Sequence, residues 1–187
     1  MKIIEARNIR KSFRREVVLK DFDFEARKGE FILLVGANGS GKTTFLKGLL
    51  GLLRFDSGSL SVRSNKIAYV PERFFFPEFI TLESFLKLFL EKMDQEMFRE
   101  WGLSEARKKE MGKFSKGMRQ KALLMQALHA DAEVYVFDEP MSGLDEAAKE
   151  TFLNKLAALK NEGKTVLLST HNPEHFRMLA DRTVGMG

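Results

Sequence analysis

The spacing of apolar residues predicts three strands that are buried on both faces of one sheet. Short apolar runs occupy residues 31–35, 134–137 and 166–169 and are rich in residues that favour strands. Such runs are typical of parallel sheets, in which helices cover both faces. Helically spaced apolar residues accompany two of the runs: Phe45, Leu46, Leu49, Leu50 and Leu53 follow the first, and Ala148, Phe152, Leu156 and Leu159 follow the second. Strand, helix and strand in this order predict an α/β fold with a mostly parallel sheet.

The N-terminal part of the chain has a different pattern. Phe22 and Phe24 alternate with acidic residues, which is typical of a half-exposed antiparallel strand. Residues 28–29 predict a turn into the first buried strand, and residues 57–59 predict another turn before a strand-like segment at 60–62. We therefore expect an antiparallel β part beside the parallel sheet.

Between the first and second buried strands the pattern becomes helical. One predicted helical face consists of Leu82, Phe85, Leu86 and Phe89, and another consists of Ala122, Leu123, Gln126 and Ala127. We expect one domain over residues 1–187. Within it, residues 1–70 and 127–187 form the α/β core with its antiparallel part, and residues 71–126 form an inserted helical subdomain.

Composition narrows the class of protein. The 187 residues are 44% hydrophobic and 30% charged, as in ordinary globular domains. No apolar run approaches the roughly 18 residues that span a bilayer, and the charged N-terminus predicts no signal peptide. The absence of cysteine excludes disulfides, thiolate metal sites and cysteine nucleophiles. The net charge of +5 is dispersed, so we expect a basic solvated surface and no nucleic-acid partner. From the lack of a membrane-spanning run, a signal peptide and cysteine, we expect a cytoplasmic location.

Residues 36–43 match the phosphate-loop spacing G-x-x-x-x-G-K-[ST] between a predicted strand and a predicted helix. The loop's backbone N–H groups are expected to surround the phosphates, with Lys42 bridging the β- and γ-phosphates and the Thr43 hydroxyl binding Mg²⁺. A Gly/Ser-rich surface loop is the alternative. The candidate nucleotide-binding residues here are Gly36, Asn38, Gly39, Ser40, Gly41, Lys42, Thr43 and Thr44.

Two carboxylates follow the second buried strand. Asp138 and Glu139 lie at its carboxyl end, where open α/β sheets bind their ligands. Asp138 is predicted to hold the metal, and Glu139 to polarise the attacking water as a general base. The alternative is that the pair only begins a turn, which Pro140 would favour. Together with the phosphate loop, the pair predicts hydrolysis of a nucleoside triphosphate.

An ordered set of further motifs makes the chain similar to a known family. Segment 114–120, segment 138–140, segment 142–145 and segment 169–171 follow the phosphate loop in the order found in the ATP-binding-cassette (ABC) ATPase domain. The chain resembles that domain along almost its whole length. The resemblance implies a P-loop NTPase core with an N-terminal antiparallel β subdomain and an inserted helical subdomain. It also implies an ATPase that powers a separate membrane permease.

The resemblance implies roles for single residues. Phe13 takes the place of the family's adenine-stacking aromatic, with a buried strand residue as the alternative. His171 resembles the switch histidine that contacts the γ-phosphate. Ser115 and Gly117 are retained from the signature sequence, which meets the γ-phosphate bound by the opposite subunit of a head-to-tail dimer. Asp145 resembles the D-loop acid, which couples the two sites.

Two positions depart from the family pattern. Lys116 replaces a glycine of the usual signature Leu-Ser-Gly-Gly-Gln and either adds a cation near the phosphate or faces solvent. The Ser-Lys-Gly-Met form is similar to that of some bacterial exporters, which favours export. Glu72 stands where the family commonly has glutamine; it is expected to bind Mg²⁺ with altered affinity, or else only begins the helical subdomain.

The partners follow from the same resemblance. We expect a second ABC ATPase subunit, identical or not, and a permease that holds the chain at the cytoplasmic face of the membrane. Phe74, Phe75, Phe76 and Phe79 either form an exposed apolar socket for the permease or belong to the core of the helical subdomain. Two other functions are open: a soluble ABC ATPase in macromolecular assembly, and a regulatory module that binds nucleotide without hydrolysing it.

Overall fold

The computed structural model of the chain describes residues 1–14 and 16–187, and its strands form two sheets. The described strands are β1 (Lys2–Phe13), β2 (Glu16–Arg27), β3 (Phe31–Val35), β4 (Ser57–Val62), β5 (Ile67–Val70), β6 (Val134–Asp138), β7 (Thr165–Thr170) and β8 (Arg182–Gly185). The described α-helices are α1 (Lys42–Leu49), α2 (Leu82–Lys87), α3 (Gln95–Glu100), α4 (Lys116–Leu128) and α5 (Glu146–Asn161). Short 3₁₀ turns occur at Ser104–Ala106, Met111–Lys113 and Pro173–Phe176.

The larger sheet is parallel throughout, with the strand order β5-β6-β7-β3-β8. Its three central strands are the three apolar runs of the sequence, so those predictions are confirmed. The carboxyl ends of β3, β6 and β7 are neighbours in this order. The segments that leave these ends carry the phosphate loop, the paired carboxylates and the histidine, so the topology brings the predicted site residues to one edge of the sheet.

Side chains of the parallel sheet alternate between two hydrophobic clusters. In β3, Phe31 and Leu33 pack into one cluster with α2, α3, α4 and α5, whereas Ile32 and Leu34 pack into the other. The second cluster joins α1 to the smaller sheet through Phe45. Because both faces are covered, the central strands are apolar without interruption.

The smaller sheet is antiparallel, with the order β2-β1-β4, and the rings of Phe22 and Phe24 each lie 5.0 Å from the Phe45 ring of α1. The half-exposed antiparallel strand is thus confirmed. The predicted turn at 57–59 is wrong, because these residues belong to β4. Gly58 suggested a turn, yet its φ of 99° accommodates an irregularity in the pairing with β1.

The helices between β5 and β6 pack on the face of the sheet that carries Phe31. In α2, Leu82, Phe85 and Leu86 are buried as predicted, but Phe89 lies beyond the end of the helix and is 52% exposed. Phe89 is apolar but is therefore not a core residue. The predicted boundary after residue 126 falls inside α4, and the division into core and helical subdomain stays a prediction.

None of the helices in the described part of the chain combines the length and the apolar composition that crossing a membrane requires.

Candidate functional site

The predicted phosphate loop connects β3 to α1, as the sequence analysis expects. Gly41 precedes the helix with a φ of 94°, a left-handed conformation that favours glycine. A Cβ at Gly41 would also lie only 2.7 Å from Cδ2 of Leu19 in β2. The Gly41 carbonyl accepts the hydrogen bond of Phe45 N at 2.8 Å, so the helix begins inside the loop. Its first N–H groups lack partners within the helix and are available to an anion.

Lys42 is buried within this loop. Its Nζ donates to the carbonyl oxygens of Gly36 at 2.7 Å and Ala37 at 3.0 Å. The same Nζ lies 3.8 Å from Oε1 of Glu139. Two of the three ammonium donors are thus satisfied by the loop itself. The positive charge lies between the loop backbone and a carboxylate, a position from which it can bind a phosphate group.

Thr43 and Asp138 bring two oxygen ligands together beside the loop. Thr43 Oγ1 donates to Oδ2 of Asp138 at 2.7 Å, and Ser169 Oγ donates to Oδ1 of the same buried carboxylate. The described residues contain no group of three or more acidic, histidine or cysteine side chains that could hold a metal. Mg²⁺, however, is usually bound through one or two carboxylates together with substrate phosphates. A hydroxyl and a carboxylate next to a phosphate loop therefore fit this ion.

Glu139 follows β6 in a strained conformation. Its φ of 49° lies in the left-handed region, which is uncommon for residues other than glycine. Oε2 lies 2.9 Å from Nδ1 of His171, whereas Oε1 is buried without a hydrogen-bond partner. Backbone strain and unsatisfied buried polar atoms are concentrated at functional sites. The free oxygen can accept a hydrogen bond from a water molecule, as a general base must.

A cavity of about 470 Å³ adjoins these groups. Ligand sites span roughly 300–1,000 Å³, so it is large enough for a nucleotide. The predicted site residues that line it are Phe13, Asn38, Gly39, Ser40, Gly41, Lys42, Thr43, Thr44, Glu72 and Glu139. Gly36, Asp138 and His171 contact these residues from outside the lining. Ser115, Gly117 and Asp145 lie elsewhere.

Phe13 is the last residue of β1 and is 46% exposed at the cavity. The Nζ of Lys11 lies 5.4 Å from the centre of its ring. This exposure removes the alternative of a buried strand residue. A ring with a free face next to a phosphate site offers a nucleobase a stacking surface.

Glu72 lies just after β5, and its side chain is 43% exposed at the cavity. The neighbouring Tyr69 has a buried hydroxyl without a hydrogen-bond partner. Burial, and then the negative charges of Asp138 and Glu72, raise the pKa of this tyrosine. The carboxylates of Glu72, just after β5, and Asp138, at the end of β6, therefore both act on Tyr69. Metal binding by Glu72 stays a prediction.

The signature segment, residues 114–118, begins α4 on the surface. Ser115 caps the helix, with its Oγ accepting a hydrogen bond from Met118 N at 3.2 Å. Gly117 packs so tightly that a Cβ there would lie 2.5 Å from the carbonyl oxygen of Gly143. Neither Ser115 nor Gly117 lines the cavity that contains the phosphate loop of their own chain.

Asp145 belongs to the D-loop segment, which we define as residues 140–145. It caps α5 by accepting from Ala148 N at 2.8 Å, and Lys121 of α4 donates to its other oxygen at 2.7 Å. The hydrogen bond from Lys121 lowers the pKa of Asp145. The buried Gln120 donates from Nε2 to the carbonyl oxygen of Pro140 at 2.9 Å. Hydrogen bonds from α4 therefore hold the D-loop segment of the same chain.

Sequence reasoning assigned no role to three of these residues. Ser169 orients Asp138, and Gln120 and Lys121 hold the D-loop segment. A serine at the end of an apolar strand and a glutamine on the buried face of a helix were the available signals. Their partners lie at least 20 residues away along the chain, so spacing alone did not identify the pairs.

An apolar groove lies beside the helices that follow β5. It has a volume of about 410 Å³ and includes Leu52, Phe74, Phe85 and Phe89. Among the four clustered phenylalanines, Phe76 is partly buried against the core, with its ring 5.1 Å from that of Phe85, and the more exposed Phe74 ring lies 6.4 Å from the same ring. Phe74, Phe75 and Phe79 are 43%, 94% and 83% exposed. Burial against the core therefore applies to Phe76, and the socket for the permease stays a prediction for the exposed members.

Comparison with known proteins agrees with these features. The ABC transporter family profile matches residues 19–142. The uncharacterized ABC transporter ATP-binding protein YthP of Bacillus subtilis (strain 168) is 35% identical over 178 residues, covering 90% of this chain and 75% of the relative. The zinc import ATP-binding protein ZnuC of Ruegeria sp. (strain TM1040) is 30% identical over 191 residues, covering 98% and 77%.

A solved structure of an ATP binding subunit of an ABC transporter superposes with a TM-score of 0.87 at 30% identity, covering 98% of this chain and 85% of that one. The α/β fold with a parallel sheet and an antiparallel N-terminal part is thus that of ABC ATPases. With a profile match across most of the chain and relatives of this similarity, the chain belongs to the ABC transporter family as an ATP-binding subunit that hydrolyses ATP to power transport.

Proposed function

We propose that two subunits close head to tail on ATP and that hydrolysis reopens them. Each nucleotide would lie between the phosphate loop of one subunit and the signature segment of the other. The observation that supports this arrangement is the lining of the cavity, which contains the loop but neither Ser115 nor Gly117. In the proposed dimer, the second subunit supplies them to the phosphates.

The proposed roles within each site follow from the contacts of the side chains. Phe13 stacks on the adenine, Lys42 and the loop N–H groups bind the phosphates, and Glu139 takes a proton from the attacking water. His171, bonded to Glu139, orients that carboxylate and contacts the γ-phosphate.

Thr43, Asp138 and Glu72 are the residues that would hold Mg²⁺. The ion supplies neutralisation of the charge that develops on the phosphate oxygens. The water forms a bond to the γ-phosphorus, the bond from this phosphorus to the bridging oxygen breaks, and the products are ADP and phosphate.

The partner of the closed dimer is the permease, and we propose that it docks in the apolar groove. Phe74 and Phe89 line the groove, and Phe75 and Phe79 remain exposed in the isolated chain. An apolar patch of this kind on a charged surface is typical of a protein interface. Docking would hold the subunit at the cytoplasmic face of the membrane, where closing and opening rock the permease between its states.

The direction of transport is not part of this proposal. The signature form favoured export, but the zinc relative is named for import, and the name of YthP states no direction. The export hypothesis therefore has no support among these relatives. Nor do they support a role in macromolecular assembly, since both are named as transporter proteins or import proteins. The proposal keeps transport as the function.

The Glu139→Gln variant tests the proposal most directly, because it retains the shape of the site and removes the carboxylate that activates water. We expect ATP with Mg²⁺ to convert this variant from monomer to a stable dimer, as measured by light scattering, and ADP to leave it monomeric. A variant that binds ATP yet remains monomeric at all protein concentrations would contradict closure of two identical subunits. Failure to bind ATP would contradict the assignment of the cavity.

A further inference from the structure

Lys116, the departure from the family signature, is bound to the D-loop segment of its own chain. Its Nζ donates to Oγ of Ser142 at 2.8 Å. Its stem lies against the next residue, since a Cβ at Gly143 would be 3.3 Å from Cδ of Lys116. The lysine therefore does not simply face solvent. It forms a contact that the glycine usual at this position has no side chain to make.

This contact leads on to the catalytic carboxylate. The backbone N–H of Ser142 donates to the carbonyl oxygen of Glu139 at 3.2 Å. Two hydrogen bonds through Ser142 thus connect the Lys116 ammonium group to the backbone of Glu139, whose φ of 49° is strained. A movement of Ser142 changes the support of that backbone. The residue that holds Ser142 is for this reason in a position to influence Glu139.

The charge of Lys116 is not balanced by an acidic neighbour. Over the described residues no carboxylate lies within ion-pair distance of its Nζ, whereas Lys121 in the same helix is paired with Asp145 at 2.7 Å. A neutral hydroxyl is a weaker partner for an ammonium group than an anionic oxygen is. An incoming phosphate oxygen would compete effectively with Ser142. The cation also lies between Ser115 and Gly117 in sequence, at the exposed start of α4.

We propose that Lys116 is a further ATP-binding residue, whose ammonium group leaves Ser142 for the terminal phosphate of the nucleotide held by the opposite subunit. This inference rests on the proposed head-to-tail dimer, which brings the signature segment to that phosphate. Departure of the ammonium group frees the Ser142 side chain, and the D-loop segment adjusts next to Glu139. ATP held by the opposite subunit thereby affects Glu139 of the subunit that supplies Lys116. ADP lacks the terminal phosphate and leaves Lys116 on Ser142.

The test compares variants in the Glu139→Gln background by the dissociation constant of the ATP-bound dimer. Lys116→Met keeps an unbranched stem over Gly143 and removes the charge, and we expect it to weaken dimerisation by roughly tenfold or more, as for loss of a charge-assisted hydrogen bond. Lys116→Arg should restore dimerisation. Lys113→Met is the matched control, because it removes the same charge from an exposed lysine paired with Glu110 and should change little.

Ser142→Ala separates phosphate binding from a purely structural role. If Lys116 binds the phosphate, removing its resting partner leaves the dimer as stable as before or stabilises it. If Lys116 only fixes the D-loop segment, Ser142→Ala weakens the dimer as much as Lys116→Met does, and the double variant is no weaker than either one. That result, or a Lys116→Met dimer as stable as its parent, overturns the inference alone. A parent that fails to dimerise with ATP overturns the proposed function as well.

Discussion

Phe13 is the residue at the cavity whose contribution to nucleotide binding is simplest to isolate, because it lies at the end of β1 and contacts neither the loop nor the carboxylates through a hydrogen bond. We expect Phe13→Ala to weaken ATP binding by roughly tenfold, since a base stacked on an aromatic ring gains about 1–3 kcal/mol. Phe13→Tyr should bind as the parent does. Fluorescence titration with an ATP analogue measures the change in the Glu139→Gln background.

The control for this variant is Phe79→Ala, which removes an equally large exposed ring that does not line the cavity. It should leave nucleotide affinity unchanged. Because stacking tolerates any base, Phe13→Ala should weaken GTP binding by the same factor as ATP binding. Equal ATP affinity of Phe13→Ala and its parent would contradict the stacking role.

Glu72 permits a second prediction for a single residue. Glu72→Gln retains the size of the side chain and removes a negative charge from the cavity, so we expect ATP hydrolysis to need about fivefold more Mg²⁺ for half-maximal rate. This factor corresponds to about 1 kcal/mol of attraction, a value reduced for a partly exposed group. The measurement is the ATPase rate at fixed ATP as Mg²⁺ is varied.

Glu16→Gln is the matched control, because Glu16 is an exposed carboxylate that lines the same cavity from the start of β2. A general electrostatic effect of the cavity would shift the Mg²⁺ requirement equally in both variants. A shift confined to Glu72→Gln supports direct or water-mediated binding of the ion. No shift in either variant would contradict Mg²⁺ binding by Glu72 and favour the alternative that it only begins the helical subdomain.

At the scale of single residues, the sequence predicted groups that act through their own chemistry better than groups that act through others. Lys42, Thr43 and Asp138 are predicted as site residues because their types and spacing are typical of a phosphate and metal site. Ser169 belongs to the motif at residues 169–171, but the sequence predicts no role for it. Its importance comes from a hydrogen bond to Asp138, 31 residues away along the chain. Such a pair exists only once β6 and β7 lie side by side.

Elements show the same division between local and long-range information. The central strands were predicted because burial on both faces leaves an uninterrupted apolar run. The segment at 57–59 was misassigned, because glycine is typical both of turns and of irregular strand pairs. Phe89 was misassigned because helical spacing continues in the sequence after Lys87, where α2 ends. Where an element ends depends on its neighbours, which periodicity does not contain.

The irregular pairing of β1 with β4 gives a prediction for an element. Between the pairs Arg7–Ser59 and Arg10–Ser57, β1 has two residues where β4 has only Gly58, with a φ of 99°. A Cβ at Gly58 would lie 2.6 Å from the carbonyl oxygen of Asn8. We expect Gly58→Ala to lower the free energy of unfolding by about 1–3 kcal/mol, the usual range for a strained backbone. Urea unfolding measures it.

Ser59→Ala provides the comparison for Gly58→Ala, because Ser59 is the next residue of β4 and its side chain is exposed. It should change the free energy of unfolding by no more than about 0.5 kcal/mol. Equal stability of the two variants would show that the strand pairing relaxes around the added methyl group. Bound ATP should leave the difference between them unchanged, since Gly58 does not line the nucleotide cavity.

The molecule as a whole presents two surfaces for its two proposed partners, and Arg73 lines both the cavity and the apolar groove. We propose the cavity and the signature segment for the second subunit, and the apolar groove with the nearby exposed Phe75 and Phe79 for the permease. Because Phe75 and Phe79 do not line the cavity, we predict that permease binding can be lost while ATP-driven dimerisation remains. We expect Phe75→Ser combined with Phe79→Ser to weaken association with the permease by about tenfold or more, as for loss of exposed aromatic anchors at an interface.

The measurement is co-purification of tagged subunit with the permease, alongside light scattering of the isolated subunit with ATP in the Glu139→Gln background. Met178→Ser is the matched control, because Met178 is 94% exposed and belongs neither to the groove nor to the phenylalanine cluster at residues 74–79. Loss of both association and dimerisation would point to damage of the helical subdomain instead of the docking surface. Unchanged association would show that Phe75 and Phe79 are not part of the docking surface, because their replacement by serine removes two exposed aromatic rings.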